Sequence, residues 1–210
     1  MFIAVCAPEA QKTDLLNRSF PPGIELVFMQ DPTAGDLKNI DAIIDYTYTL
    51  PTHAYPLHIP VFKHALLQLL SELPENYIRI NAWPGFLQRP VLELAFTDKM
   101  TTSVEKIIQA LQIPFIRVPD IIGLIAARSI SMIINEAWYA LADNVSSKAE
   151  IDTAMKLGTN YPYGPFEWGN KIGLHHIADL LNKLAEKEPR YIPAPLMLDE
   201  LAVGDNLKTS

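Results

Sequence analysis

The sequence contains a single cysteine, Cys6, among its 210 residues. One cysteine excludes an internal disulfide and a cysteine-rich zinc site, and it is typical of proteins that work in a reducing cytoplasm. Basic residues are also few, because 17 Lys and Arg stand against 24 Asp and Glu, for a net charge of −7 at pH 7. This balance disfavours a nucleic-acid or anionic membrane partner, since phosphate groups need a basic face.

Long uncharged apolar runs are missing as well. The most apolar stretch, 121–142, includes Arg128, Asn135 and Glu136, and charges in mid-span are costly in lipid. We therefore expect a buried helix here and no membrane span. The first residues have no basic segment before their short apolar run, so no signal peptide is expected.

Residues 1–118 carry short apolar runs that alternate with helical patterns. This order predicts an α/β domain with a mostly parallel, Rossmann-like sheet. Strands are expected over 2–6, 24–29, 42–46, 77–81, 91–96 and 115–118. Helices are expected over 8–18, 61–73 and 101–111, the second of them with an apolar face at Phe62, Leu66, Leu69, Leu70 and Leu73.

Residues 119–210 are predicted to be helical throughout. The helix over 121–142 is apolar nearly all round, so a second copy of the chain is expected to cover it. Ser147 and Glu150 form a capping-box pattern that starts the next helix, and Gly158 is expected to end it. A tight turn with Pro162, Gly164 and Pro165 should follow, with further helices over 174–184 and 196–202.

Part of this helical region resembles a known family. The segments 120–141, 147–174 and 189–197 are similar to the C-terminal domain of the 3-hydroxyacyl-CoA dehydrogenases of fatty-acid β-oxidation. The positions that match include Asp120, Gly123, Arg128, Glu136, Ala137, Ile151, Asp152, the run 154–158, Pro162, the run 164–167, Gly173 and Leu174.

The resemblance implies a Rossmann-like domain, here 1–118, followed by an all-α dimerisation domain, here 119–210. It also implies oxidation of 3-hydroxyacyl-CoA with NAD, with the substrate in the cleft between the domains. The expected partners are therefore a second copy of the chain and an acyl-CoA or pantetheine-like ligand.

The sequence departs from this family at the phosphate turn. A glycine-rich turn after the first strand lets backbone N–H groups approach a diphosphate, but no G-x-G-x-x-G occurs in this chain. Pro8 removes a donor, and Glu9 adds a carboxylate that repels phosphate. Asp31 is a weak candidate for the ribose contact, since an aspartate before Pro32 is typical of a turn. No cofactor is therefore expected, and NAD is possible but disfavoured.

The catalytic residues depart as well. Glu93 falls at the position of the family's catalytic glutamate, but counting back to the family's histidine gives Asn81, or Ile80 with one inserted residue. Neither can take a proton from a hydroxyl near neutral pH. The asparagine expected before Arg128 is Ala127. A histidine from elsewhere, such as His64, would restore a base if it reached Glu93.

The segment 81–89 follows a predicted parallel strand, where ligands bind in open α/β sheets. We predict that Trp83, Phe86 and Arg89 contact the substrate, together with Arg128. The structural alternative is a rigid corner packed between the sheet and its helices. No metal is expected. Three histidines lie close in sequence, His53, His58 and His64, but no carboxylate or thiolate accompanies them at the tight spacing of a metal site.

Two functions follow from these observations. The first is a non-catalytic relative, a pseudoenzyme that acts as an acyl-CoA-binding or accessory homodimer. The second is an active oxidoreductase that interconverts 3-oxoacyl-CoA and 3-hydroxyacyl-CoA with NAD(H) through a non-standard site. The joint loss of the glycine turn, the histidine and the asparagine favours the first.

Overall fold

A computed structural model describes residues 1–30, 37–49 and 55–208 of the chain, without the side chains of 205–208. The chain divides into two compact units, Met1–Ile125 and Ala126–Ser210. Residues 119–125, predicted to begin the helical part, are therefore counted with the first unit.

The first unit is built on a mostly parallel sheet, as predicted. The strands in its described part are β1 (Phe2–Cys6), β2 (Glu25–Phe28), β3 (Ala42–Asp45), β4 (Val61–His64), β5 (Tyr77–Ile80), β6 (Leu92–Ala95) and β7 (Phe115–Arg117). They lie in the order β2-β1-β3-β4-β5-β6-β7. Only the β5–β6 pair is antiparallel, so β6 and β7 run against the other strands.

The two faces of the sheet are covered differently. Helices α1 (Glu9–Leu16) and α2 (Thr101–Leu111) pack on one face and bury Leu15, Val104 and Ile107. On the other face, the described connections around the sheet form no α-helix, and loop residues such as Tyr55, Ile59 and Leu73 complete the core. Among the described residues of this unit, only the β1–β2 and β6–β7 connections contain an α-helix.

The helix predicted over 61–73 is wrong. Val61–His64 is the central strand β4, and all four of its residues are buried. A parallel strand covered on both faces can be apolar without strict alternation, and the leucines after it give an apparent helical period. Beyond the strand, the described chain forms only a short 3₁₀ turn, Leu70–Glu72.

The second unit contains five helices among the residues the structure describes: α3 (Ala126–Ala142), α4 (Lys148–Thr159), α5 (Pro165–Ile172), α6 (Leu174–Ala185) and α7 (Pro195–Lys208). The predicted start of α3 at 121 is wrong, because Gly123 and Leu124 have positive φ angles of 80° and 51°. The last helix is longer than the predicted 196–202. No helix in the described chain is both long and apolar enough to cross a membrane.

The capping box at the start of α4 is confirmed. The Oγ of Ser147 accepts the N–H of Glu150 at 3.3 Å, and the Glu150 carboxylate accepts the N–H of Ser147 at 3.2 Å. The predicted end at Gly158 is wrong, since α4 continues to Thr159. Asn160, with a φ of 56°, provides the left-handed cap instead.

The turn predicted around Gly164 continues into helix α5. Asp152 lies on α4, and its carboxylate accepts the N–H groups of Phe166 at 2.8 Å and Glu167 at 3.2 Å. It thereby satisfies two free donors in the first turn of α5 and places a negative charge at the helix N-terminus. Glu167 in turn accepts the N–H of Gly164 at 3.0 Å and pairs with Lys156 at 2.5 Å. These contacts give the segment a structural role.

Glycine is required at 164 for steric reasons, because a Cβ there would overlap the side chain of Asp152. We expect Gly164→Ala to lower the free energy of unfolding by about 3 kcal/mol, through overpacking and loss of the Asp152 hydrogen bonds. Gly158→Ala is the matched control, because a Cβ there meets no atom within 4 Å. It should raise stability by about 0.5–1 kcal/mol. Thermal unfolding of both variants would measure these changes in stability. Equal changes in the two variants would contradict a steric requirement for glycine at 164.

Candidate functional site

A row of buried polar side chains crosses the first unit at the carboxyl ends of its parallel strands. Cys6 is aligned with Asp45, Asp45 with Lys63, and Lys63 with Arg79. Aligned residues of neighbouring strands share one face of a sheet. All four are buried, and Arg79 has no exposed surface. Open α/β sheets bind ligands at this end, so the row marks where a site would be built.

Lys63 and Asp45 form a buried ion pair in the middle of the row. Their charged atoms are 2.9 Å apart, and each side chain is 1% exposed. The Lys63 ammonium also donates to the Oγ1 and backbone oxygen of Thr47 at 2.8 Å, and to the backbone oxygen of Thr49 at 2.7 Å. The Tyr55 hydroxyl donates to Asp45 at 2.9 Å. Lys63 therefore holds the loop after β3 onto the sheet.

The electrostatic state of this pair follows from its burial. Desolvation lowers the pKa of Lys63 from its ordinary value, and the Asp45 carboxylate opposes that shift. Burial, together with Asp45, raises the pKa of Tyr55 well above its usual range. Both hydroxyl and ammonium thus point their hydrogens at one carboxylate, which is the arrangement that compensates a buried negative charge.

Arg79 forms a second charge pair, in which the arginine is buried and Asp120 is partly exposed. Its guanidinium pairs with Asp120, and its Nε donates to the backbone oxygen of Ala65 at 2.8 Å. Asp120 also accepts the N–H of Leu70 at 2.9 Å. Burial lowers the pKa of Arg79, and Asp120 opposes the shift. Arg79 and Asp120 therefore attach the chain around residue 120 to the sheet.

The predicted catalytic residues lie at the same end of the sheet. The β5–β6 register pairs Arg79 with Ala95 and Ile80 with Leu94. Asn81 directly follows β5, and Glu93 lies one residue before the paired Leu94 of β6. The antiparallel direction of β6 therefore puts both residues at this end of the sheet, and their catalytic role stays a prediction.

Asn81 and Glu93 have well-defined contacts. The Oδ1 of Asn81 accepts the N–H of Trp83 at 3.1 Å, while its Nδ2 is buried and has no hydrogen-bond partner among the described residues. Glu93 is half-buried, and its Oε2 accepts the N–H of Ile125 at 2.9 Å.

His64 lies on the other face of the sheet from Glu93. It is aligned with Ile80, which is aligned with Leu94, and Glu93 precedes Leu94 and so points the opposite way. The His64 Nδ1 accepts the N–H of Ala82 at 3.0 Å, so this nitrogen is not available as a base. His64 does not restore the His–Glu pair.

The other predicted substrate contacts are buried or held by neighbours. Trp83 is 1% exposed and packs edge-on against Phe86, over which Arg89 places its guanidinium at 4.6 Å from the ring centre. Asp14 on α1 accepts the N–H of Gly85 at 2.5 Å. These contacts describe a rigid packed corner, and ligand binding by Trp83, Phe86 and Arg89 stays a prediction.

Arg128 and Asp31 complete the predicted set. Arg128 lies in the second unit, where its Nε donates to the hydroxyl of Tyr191 at 2.8 Å and its Nη2 lies 3.7 Å from Glu188. Its contact with substrate stays a prediction. Asp31 lies outside the described residues. No group of three His, Cys, Asp or Glu that could hold a metal ion occurs in the part of the chain that the structure describes.

The turn between β1 and α1 differs from a glycine-rich phosphate turn in the groups that it offers. Helix α1 begins after Pro8, which has no N–H to offer, and Glu9 in its first turn is exposed. The Nε2 of Gln11 donates to the hydroxyl of Tyr48 at 2.8 Å, and this bond joins α1 to the loop after β3. With Pro8 in the turn, one backbone N–H that a glycine-rich phosphate turn would offer is missing.

A cavity beneath the sheet is too small for an organic ligand. It lies between the strands and helices α1 and α2, has a volume of about 20 Å³, and is lined by apolar side chains together with Arg18 and Tyr46. Such a volume holds about one water molecule. The carboxyl edge of the sheet is the better candidate site.

The contribution of the buried Lys63–Asp45 pair to stability can be tested directly. Lys63→Met should lower the free energy of unfolding by about 3–5 kcal/mol, because it leaves the Asp45 carboxylate buried without a cation. Lys12→Met is the matched control, since Lys12 is partly exposed and lies 3.8 Å from an exposed Glu9. It should change stability by less than about 1 kcal/mol. Urea titrations measure the free energy of unfolding of both variants. A Lys63→Met variant as stable as the control would disprove that Lys63 compensates the buried Asp45 carboxylate.

Comparisons with known proteins identify the second unit. Residues 123–209 match the family model of the 3-hydroxyacyl-CoA dehydrogenase C-terminal domain. The chain is similar to 3-hydroxyadipyl-CoA dehydrogenase of Escherichia coli (strain K12), with 45% identity over 84 residues, or 39% of this chain and 18% of that protein. It is 42% identical to 3-hydroxybutyryl-CoA dehydrogenase of Clostridioides difficile over 77 residues, or 36% of this chain and 27% of that protein.

The match thus spans only about a fifth to a quarter of the length of these two relatives. Among solved structures, (S)-3-hydroxybutyryl-CoA dehydrogenase from Ralstonia eutropha resembles the chain with a TM-score of 0.69 and 20% identity. The alignment covers 97% of this chain and 94% of that one. At this identity the likeness shows a shared fold.

Proposed function

The helical unit of this chain is a C-terminal domain of the 3-hydroxyacyl-CoA dehydrogenase family, and from this we propose that the protein is a non-catalytic member. In this proposal it binds an acyl-CoA or pantetheine-like ligand, acts as a homodimer and does not transfer hydride.

The amide at position 81, where the resemblance places the family's histidine, is the observation that carries this proposal. Oxidation of an alcohol needs a base that can take the hydroxyl proton near neutral pH, and an imidazole does so while an amide does not. His64 faces away from Glu93, and its Nδ1 accepts a backbone N–H. A carboxylate without such a base can orient a hydroxyl but lacks the partner needed for proton removal.

The edge between β1 and β3 supports the same proposal. Pro8, Glu9 and the Gln11–Tyr48 hydrogen bond stand where a diphosphate would need glycines and free N–H groups. Without a bound nicotinamide there is no hydride acceptor. The loss of the base and the loss of the phosphate turn therefore both favour a protein that does not transfer hydride.

The surface of α4 supports the dimer. Leu157 on this helix is 82% exposed, and Val145 just before it is 70% exposed. Among the residues of α4 only Asp152 is buried. A second copy of the chain would remove these apolar side chains from water, which is the main driving force for association.

Absorbance and thermal shift together test the proposed function. With acetoacetyl-CoA and NADH or NADPH, the nicotinamide absorbance should stay constant even at high protein concentration. An acyl-CoA should raise the melting temperature, because it binds only the folded protein, while NAD should leave it unchanged.

Two results would contradict this proposal. Turnover that disappears in Glu93→Gln would show an active oxidoreductase that uses this site. The absence of a thermal shift with any CoA ester would leave only a structural role for the dimer. Glu105→Gln, an exposed carboxylate on α2, is the control for a general effect of charge loss.

Light scattering after size exclusion tests the dimer. We expect twice the mass of 23.5 kDa for the native chain and a shift towards the monomer for Leu157→Glu, since a buried carboxylate at the interface is costly. Leu57→Glu is the control, because Leu57 is also strongly exposed, at 60%, but lies in the first unit. A monomeric native chain, or equal behaviour of the two variants, would argue against this interface.

A further inference from the structure

Tyr46 places a hydroxyl group in the interior of the first unit. The residue directly follows β3 and is 3% exposed. Its side chain lines the cavity between the sheet and helices α1 and α2, and the hydroxyl forms no hydrogen bond with any of the described residues. Buried polar groups in native proteins nearly always have a partner. The hydroxyl therefore indicates a bound group that is not part of the described polypeptide.

Arg18 lines the same cavity. Its Nε donates to the backbone oxygen of Leu87 at 2.5 Å, and its Nη2 donates to that of Arg89. A guanidinium has five N–H donors, so further N–H groups remain after these two bonds. No described carboxylate forms an ion pair with Arg18, whereas Lys63 and Arg79 each pair with an aspartate. The charge of Arg18 thus has no counter-charge within the described chain.

Both groups offer hydrogens to the cavity. Burial lowers the pKa of Arg18 from its ordinary value, and the neighbouring Tyr46 opposes that shift. Burial also raises the pKa of Tyr46 well above its usual range. At neutral pH the guanidinium therefore keeps its charge and the phenol keeps its proton. An acceptor between them would take hydrogen bonds from both.

The lining of the cavity distinguishes between possible acceptors. Apart from Arg18 and Tyr46, every side chain that lines it is apolar. A water molecule could accept from both groups, but for its own hydrogens the only side-chain acceptor is the Tyr46 oxygen. An anion carries no hydrogens, and it compensates the charge of Arg18 through charge-assisted hydrogen bonds. The volume of about 20 Å³ limits such an anion to about the size of water and excludes sulfate, phosphate and acyl carboxylates.

We propose that Arg18 and Tyr46 bind one small monovalent anion, such as chloride, in this cavity. The anion connects the end of β3 with the chain after α1, and Arg18 in turn holds the connection 81–91 through its bonds to Leu87 and Arg89. Chloride therefore stabilises the first unit. This inference is independent of the proposed function, because it involves neither an acyl-CoA nor hydride transfer.

Thermal unfolding in two sodium salts tests the anion site. Chloride and gluconate at equal ionic strength screen surface charges equally, but gluconate is too large for the cavity. The melting temperature should be about 2–4 °C higher in chloride once its concentration exceeds the dissociation constant about fivefold, because the anion binds only the folded protein. Equal melting temperatures in the two salts over the whole titration would overturn the proposal.

Tyr46→Phe separates this site from a general effect of chloride. The substitution removes the hydroxyl and keeps the ring, so the variant should still fold, and the increase in melting temperature should disappear. Tyr163→Phe is the matched control, since it removes a hydroxyl from a half-buried tyrosine of the second unit and should leave the increase unchanged. The same increase in Tyr46→Phe as in the native chain would show that chloride acts elsewhere.

Diffraction from crystals soaked in sodium bromide locates the anion directly. Bromide scatters anomalously and is close to chloride in size, so we expect an anomalous peak between the guanidinium of Arg18 and the hydroxyl of Tyr46. The peak should be absent from Tyr46→Phe crystals. A water molecule at this position without an anomalous signal, or bromide bound only at the protein surface, would overturn the proposal.

Discussion

The two buried cations of the first unit, Lys63 and Arg79, and their carboxylate partners are the constraint on which its candidate site depends. Lys63 cannot lie in the sheet interior without Asp45, and Arg79 cannot without Asp120. An unpaired buried charge costs several kcal/mol. These pairs therefore tie the loop after β3 and the segment around Asp120 to neighbouring strands, and they fix the edge at which Asn81 and Glu93 meet.

The carboxyl edge of the sheet differs between its β1–β3 part and its β5–β6 part. Between β1 and β3 the chain covers the edge with its own side chains, through the Gln11–Tyr48 bond and the loop held by Lys63. Between β5 and β6, the same edge carries the Asn81 amide, whose Nδ2 has no partner among the described residues, and the half-buried carboxylate of Glu93.

Sequence patterns identified the elements whose signals are local. Helix α2 was predicted at 101–111 and is observed over Thr101–Leu111, since its apolar stripe and its end are self-contained. β4 was mistaken for a helix because burial on both faces removes the alternation that identifies a strand. Lys63 was missed for a related reason, since a lysine is expected at the surface. Each of Asp45, Lys63 and Arg79 stands at or near the end of an apolar run, which was the available signal.

Asn81 and Glu93 lie at the same edge because β6 runs antiparallel to β5, and no local pattern specified this strand direction. The sequence spacing suggested which residues correspond to the family's pair, but it did not show how the two strands are oriented. Whether two residues on consecutive strands face one another depends on the register, and register is set by the turn and by burial. The family of the second unit was evident from its sequence because its packing motif, from Asp152 to Glu167, is short and contiguous.

The antiparallel β5–β6 pair also has a consequence for the order of folding. Its strands are joined by the connection 81–91, whereas β1 pairs with β3 across the whole of α1 and β2. Closing a shorter loop costs less chain entropy, and contacts between residues near in sequence form faster. The hairpin that carries Asn81 and Glu93 can thus assemble before the β1–β3 pair, which can then add to it.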